Sequence, residues 1–111
     1  ANCLLPPSIR ITDSYRAPLA FHPTLQVVQK EYRYYIQNGA HASPFQRHYA
    51  WHIKEPLDIE VMRERGKELL GSKDFKVFCN QRKGLNYKSY ERTLLDLRVD
   101  KSDDLIEIVL L

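Results

Sequence analysis

Residues 25–37 read Leu-Gln-Val-Val-Gln-Lys-Glu-Tyr-Arg-Tyr-Tyr-Ile-Gln, and this run decides the fold class. Its alternation predicts one long strand. Side chains alternate across a strand. Val28, Lys30, Tyr32, Tyr34 and Ile36 therefore share one face, while Val27, Gln29, Glu31, Arg33 and Tyr35 share the other. The first face is richer in rings and the second is more polar, the pattern of a sheet packed on one side.

Downstream, Asn38-Gly39 signals a turn, residues 40–47 read as a loop, and Tyr49, Trp51 and Ile53 alternate as a short strand. A helix is expected over 57–70. Asp58 can cap it by accepting hydrogen bonds from first-turn amides. Leu57 and Met62 have hydrophobic-staple spacing. Ile59, Met62, Gly66, Leu69 and Leu70 form its apolar stripe. Gly66 costs about 1 kcal/mol of helix propensity, so it predicts a close approach of helix to sheet. Gly71 is placed to end the helix in a left-handed conformation.

Farther on, Leu95, Leu97 and Val99 alternate with Asp96 and Arg98. Ile106, Ile108 and Leu110 alternate with Glu107 and Val109. With a turn at Lys101-Ser102-Asp103-Asp104, these runs predict an antiparallel hairpin. Upstream, Ile9 and Ile11 suggest a short strand after Pro6-Pro7, and Pro18 and Pro23 interrupt the next stretch. The order is strand, long strand, short strand, helix, basic loop, hairpin. That order implies an α+β fold: an antiparallel or mixed sheet with one main helix packed on one face.

The chain's 111 residues suffice for one domain and not two. A chain this long is expected to bury roughly two-thirds of its unfolded surface without a metal or disulfide. No apolar run approaches the ~18 residues of a membrane span, and no secretory signal opens the chain. Cys3 and Cys79 make no disulfide framework and read as reduced thiols of an intracellular protein. The apolar run 105–111 closes the sequence with no turn or polar tail, which suggests part of a longer protein. Ile106, Ile108 and Leu110 could then present an open sheet edge.

Charge is uneven. The formal net charge is +3, yet residues 73–92 hold Lys73, Lys76, Arg82, Lys83, Lys88 and Arg92 against only Asp74 and Glu91. Phe75, Phe78, Tyr87 and Tyr90 lie among these bases. Cations bind phosphate and rings stack on unpaired bases, so the mixture suits RNA. A solvated lysine-rich loop with aromatic anchors is the bland reading.

Other chemistries find little support. His48 and His52 have the i, i+4 spacing of a helical metal pair, but the residues around them alternate like a strand, and no acid completes a His-Glu-x-x-His pattern. His22 and His41 read as surface or loop residues. Gly39, Gly66, Gly71 and Gly84 are too scattered for a phosphate loop, and no Gly-x-Ser-x-Gly elbow occurs. Asp58 reads as a cap and Asp74 as part of a turn. The pattern yields no catalytic residue, metal ligand or cofactor. Tyr32 by itself reads as a core aromatic, with stacking on an extruded base as the functional alternative.

Several segments in order resemble the tRNA pseudouridine synthases of the TruA type. Asn2-Cys3-Leu4-Leu5-Pro6 with Ile9 resembles the family's Leu-Asn-x-x-Leu-Pro-x-x-Ile segment. Phe21-His22 resembles the start of Phe-His-Ala-Arg, and Lys30-Glu31-Tyr32-Arg33-Tyr34 resembles Lys-x-Tyr-x-Tyr. Pro44-Phe45, Tyr49-Ala50-Trp51-His52, Pro56-Leu57-Asp58 and Met62 come next in family order. Gly71-Ser72-Lys73-Asp74-Phe75 with Phe78 resembles Gly-x-His-Asp-Phe-x-x-Phe, and Arg92-Thr93-Leu94 resembles Arg-Thr-Ile. Pro23-Thr24 stands where the family has Ala-Arg, and Lys73 stands where it has His.

The resemblance implies a partial pseudouridine synthase fold. Residues 1–20 would leave the first half of the enzyme, and residues 21–111 would form most of the second-half domain. It implies a cytoplasmic homodimer that isomerises uridine to pseudouridine in the tRNA anticodon stem-loop, with no metal or organic cofactor. An aspartate attacks the flipped uridine, a tyrosine stacks on it, and an arginine pairs with the aspartate. Tyr32 matches the tyrosine. The aspartate's Gly-Arg-Thr-Asp-x-Gly-Val-His stretch and the arginine's Phe-Leu-x-x-Met-Val-Arg stretch have no match here. Lys30, Arg33, Lys73, Lys76, Arg82, Lys83 and Lys88 are the expected RNA-binding cations, with at most one of Lys30 and Arg33 beside Tyr32. A non-catalytic RNA-binding or protein-interaction module is the alternative. A histidine-based RNA-cleaving enzyme using His48 or His52 is a third reading.

Overall fold

A strand forms only where a neighbouring strand takes up its amides and carbonyls, and this rule sets where each β element begins. The computed structural model describes residues 2–79 and 89–111. Strand β1 (Tyr32–Asn38) is shorter than the alternating 25–37 run. Its first rung pairs Tyr32 with Leu110. Residues 23–26 instead turn, with the Gln26 amide donating to the His22 carbonyl at 3.1 Å. The expected strand at Ile9–Ile11 is also absent. The Ile11 amide donates to Asn2 Oδ1 at 2.8 Å and no ladder forms.

After β1 the chain loops through 39–50 and returns as β2 (Trp51–Ile53), which lies parallel to β1. Parallel neighbours need about a dozen residues of crossover, and this loop supplies them without a helix. Helix α1 (Ile59–Lys67) comes next, with Asp58 Oδ1 capping the amides of Glu60 and Val61 at 3.0 and 3.1 Å. The helix ends earlier than 70. Its last turn tightens, with Leu69 and Leu70 donating to the carbonyls of Gly66 and Lys67. Gly71 does take the left-handed conformation, at φ 88°, but it opens strand β3 (Gly71–Asp74) rather than closing the helix. The expected basic loop is bounded by an antiparallel ribbon of β3 with β4 (Glu91–Leu94). The final hairpin joins β5 (Leu97–Ser102) to β6 (Leu105–Leu110) through Asp103 and Asp104. Asp103 adopts φ 52° there, the left-handed conformation that Asp tolerates in tight turns.

The main sheet runs β2-β1-β6-β5, so β6 is interior and the edges are β2 and β5. The apolar run 105–110 is thus paired on both sides, contrary to the open edge expected for it. The fold is α+β, with a mixed sheet, one main helix on one face and a small second ribbon. Ile36, Val99 and fully buried Ile106 form the core, and Leu57, Ile59 and Met62 pack against them from the helix side. On the opposite face Val109 is buried between Arg33 and Arg98, its register partners on the two flanking strands. Arg stems cover apolar surface in this way while their heads stay wet.

The close approach at Gly66 is real. A Cβ there would lie 2.5 Å from Leu97 Cδ2. Gly66→Ala gains about 1 kcal/mol of helix propensity against an overpacking cost of roughly 1–3 kcal/mol. Gly66→Val adds two methyls and loses part of that propensity, and is expected to destabilise by about 2–3 kcal/mol. Chemical denaturation of Gly66→Val with and without Leu97→Ala checks this, with at least about 1 kcal/mol of coupling expected between the two sites.

Burial falls short of expectation. A folded monomer of this mass exposes roughly 6,400 Å², whereas this chain exposes 10,293 Å². Against an unfolded surface of about 19,000 Å², a little under half is covered rather than two-thirds. The radius of gyration is 18.5 Å, where about 13 Å is usual for this length. Much of the excess lies in residues 2–31, where Leu5 alone is half-buried and the rest are exposed.

Candidate nucleic-acid interface

The helix-side face of the sheet is covered unevenly. Ile36 and Ile106 pack with α1, which contacts Leu97 and Val99 of β5 through Gly66 and Arg63. Tyr32 and Tyr34 lie on the same face of β1, two strands across from Leu97 and Val99. There the turn after α1 contributes Leu69, and the β3–β4 ribbon contributes Phe75 and Arg92. The extended segment before β1 closes the opposite side with Val27, Val28 and Lys30. The result is an open groove of about 740 Å³. That size is within the usual range for small-molecule sites.

Tyr32 and Tyr34 keep 51% and 53% of their surface exposed. Core packing of Tyr32, the simplest reading of the sequence, is therefore not what the fold does with it. The groove wall is apolar and aromatic with two cations, Lys30 and Arg92, and no Asp or Glu lines it among the described residues. Such a surface favours planar rings carrying phosphate.

Of the expected cations, Lys30 shares this groove and Arg33 does not. Arg33 lies on the other sheet face, 2.7 Å from Glu31 and 3.1 Å from Glu107. Hydrogen bonds to Glu31 first, then Glu107, raise its guanidinium pKa above the ordinary value. Tyr35 Oη also donates to Glu107 at 3.0 Å. Lys73 stands on β3 opposite Arg92, and Lys76 Nζ lies 5.8 Å from the Tyr90 ring centroid. Arg82, Lys83 and Lys88 lie outside the described residues. Sequence reading passed over Arg92 as a site residue, because only the β3–β4 pairing carries it to the groove.

No family model matches this sequence. Curated relatives do. The chain is 39% identical over 107 residues to the tRNA pseudouridine synthase A 2 of Clostridium tetani, covering 96% of this chain and 42% of that protein. It is 39% identical over 99 residues to the tRNA pseudouridine synthase A 2 of Protochlamydia amoebophila, covering 89% and 38%. With the tRNA pseudouridine synthase A of Bacillus subtilis it shares 41% over 78 residues, covering 70% and 32%. The chain belongs to the tRNA pseudouridine synthase A family. It spans about two-fifths of the length of the first two of these relatives.

The other polar candidates in this chain are held in structural roles. Asp58 caps α1, Asp74 Oδ1 accepts from the Lys76 amide at 2.8 Å, and Asp96 pairs with Arg98 at 3.1 Å. His52 Nε2 is 2.8 Å from the Gly39 carbonyl, and His48 Nε2 accepts from Arg47 Nε at 3.0 Å. His22 Nδ1 accepts from the amides of Thr24 and Leu25. No group of three metal-ligating side chains occurs among the described residues. Cys3 and Cys79 are free and exposed. No helix among the described residues is long and apolar enough to cross a membrane.

Proposed function

We propose that this chain supplies the tyrosine wall of the uridine site in a tRNA pseudouridine synthase that isomerises uridine in the anticodon stem-loop. The observation that carries this reading is the groove itself: Tyr32 half-exposed beside Tyr34, Lys30 and Arg92, with no Asp or Glu side chain lining it among the described residues. A ring at Tyr32 offers a face for a base pulled out of its stack. The reaction implied by the family resemblance needs an aspartate to attack that base, so that it detaches, rotates and reattaches through carbon. In this reading the aspartate and its arginine partner come from outside these residues. Residues 1–20 then connect to a first half and 21–111 form most of a second-half domain. The complete cytoplasmic enzyme acts as a homodimer, needing no metal or organic cofactor. Lys30, Lys73, Lys76, Arg82, Lys83 and Lys88 serve the tRNA backbone. Arg33, tied to two glutamates on the far sheet face, is the weakest of the proposed cations.

The alternative is a non-catalytic RNA-binding module, favoured by a groove with no Asp or Glu side chain among the described residues. Incubating the purified 111-residue chain with unmodified tRNA tests both readings. The expected result is salt-sensitive binding with no pseudouridine formed. Pseudouridine formation by this chain alone would overturn the absent-acid reading, and failure to bind tRNA would overturn the groove reading. A complete protein carrying this segment forms pseudouridine under the first reading and none under the second.

A further inference from the structure

We propose that Arg92 is a positioning residue that holds the phosphate of the nucleotide whose base lies against Tyr32. The inference rests on the groove being the uridine site, and adds the group that fixes the nucleotide's backbone within it.

Three observations carry it. Arg92 lines the same groove as Tyr32, and the groove offers it no Asp or Glu side chain among the described residues. Among the described residues its hydrogen bonds go to main-chain carbonyls, from Nη1 to Ser89 O at 3.2 Å and to Glu91 O at 2.6 Å. A guanidinium has five donors, so most remain for a ligand. Finally, the register sets Lys73 directly opposite Arg92. Like charges in that position destabilise a strand pair.

Among the described residues neither Arg92 nor Lys73 forms a salt bridge. Glu91 and Asp74 face each other one residue along, on the opposite side of the ribbon, since side chains alternate. Glu91 Oε1 accepts from Ser72 Oγ at 2.8 Å, and Asp74 Oδ1 accepts from the Lys76 amide. A bound anion in the groove would neutralise Arg92, the cation that the register sets opposite Lys73. A guanidinium fork suits phosphate because two parallel N–H bonds match two phosphate oxygens. Lys30, which lines the same groove, adds a point charge of the same sign.

The test is equilibrium binding of an unmodified tRNA transcript to the intact protein across a KCl series. Losing one phosphate contact lowers the slope of log K against log salt by about 0.7–0.9 and weakens binding about five- to eight-fold at 0.1 M salt. Arg92→Gln is expected to show both effects, and Arg92→Lys to restore most of the slope. Lys67→Gln, an exposed lysine on α1 away from the groove, is expected to leave the slope as it was. Tyr32→Ala should weaken binding without changing the slope, because stacking releases no counterions. An unaltered slope in Arg92→Gln, or an equal loss in Lys67→Gln, would overturn the phosphate contact. If Tyr32→Ala binds as tightly as the parent while Arg92→Gln flattens the slope, the contact stands and the uridine reading fails instead.

Discussion

Asn38→Ala is expected to lower the unfolding free energy by about 3–4 kcal/mol, from roughly 1–3 kcal/mol for each buried group stranded. Asn38 is 7% exposed and uses its whole amide. Nδ2 donates to the carbonyls of Ile53 at 3.0 Å and Glu55 at 2.7 Å, and Oδ1 accepts from the Leu57 amide at 3.2 Å. These bonds bind the end of β1 to the segment between β2 and α1. Its own amide donates to the Asp104 carbonyl at 2.7 Å, fastening the same point to the β5–β6 turn. Alanine would leave the Ile53 carbonyl and the Leu57 amide, on half-buried residues, without this partner, while the Glu55 carbonyl, on an exposed residue, can turn to water. Asn38→Asp should do no better, because its carboxylate would face two carbonyl oxygens. Urea unfolding measures the effect as a fall in midpoint at unchanged slope. A change below about 0.5 kcal/mol, the range of ordinary surface substitutions, would show that the clamp is dispensable.

The second large effect concerns activity. In the complete enzyme, Tyr32→Ala is expected to lower kcat/KM by about 5- to 150-fold, the equivalent of 1–3 kcal/mol of base stacking. Tyr32→Phe keeps the ring and should retain more activity than alanine. Equal losses in both variants would assign the role to the hydroxyl instead. Because Tyr32 is half-exposed at the near end of β1, removing it should leave the Ile36–Ile106 core intact. A melting temperature close to the parent's would separate this loss from unfolding.

Local chemistry was readable from the chain. Asp58 was recognisable as a cap because Asp before an apolar-periodic run answers free amides, a rule that needs no tertiary partner. The 97–110 hairpin showed itself through period-two alternation around a charged turn, and Gly66 through its cost in a helix. The tyrosine of the groove was readable only through family resemblance, since alternation gives Tyr32 a face but not its exposure. Strand ends were misplaced wherever pairing decided them. The 25–31 stretch alternates as well as 32–37, yet the paired strand covers only Tyr32–Asn38. The β3–β4 ribbon left little trace, because Gly71–Asp74 and Glu91–Leu94 are short and exposed and lack an apolar face of their own.

The sequence by itself determined that one helix would lie against a sheet, which face of β1 would carry the rings, and which side chain would start the helix. Those depend on periodicities of 3.6 and 2 and on local hydrogen bonding. Only the tertiary structure decided that α1 lies against β5 and leaves Tyr32 and Tyr34 on β1 half-exposed, that Arg92 arrives beside them across a second ribbon, and that Asn38 becomes a buried clamp instead of a mere turn signal. Exposure, charge balance and polar satisfaction are properties of what comes to lie alongside a residue, and its partners here come from segments far away along the chain.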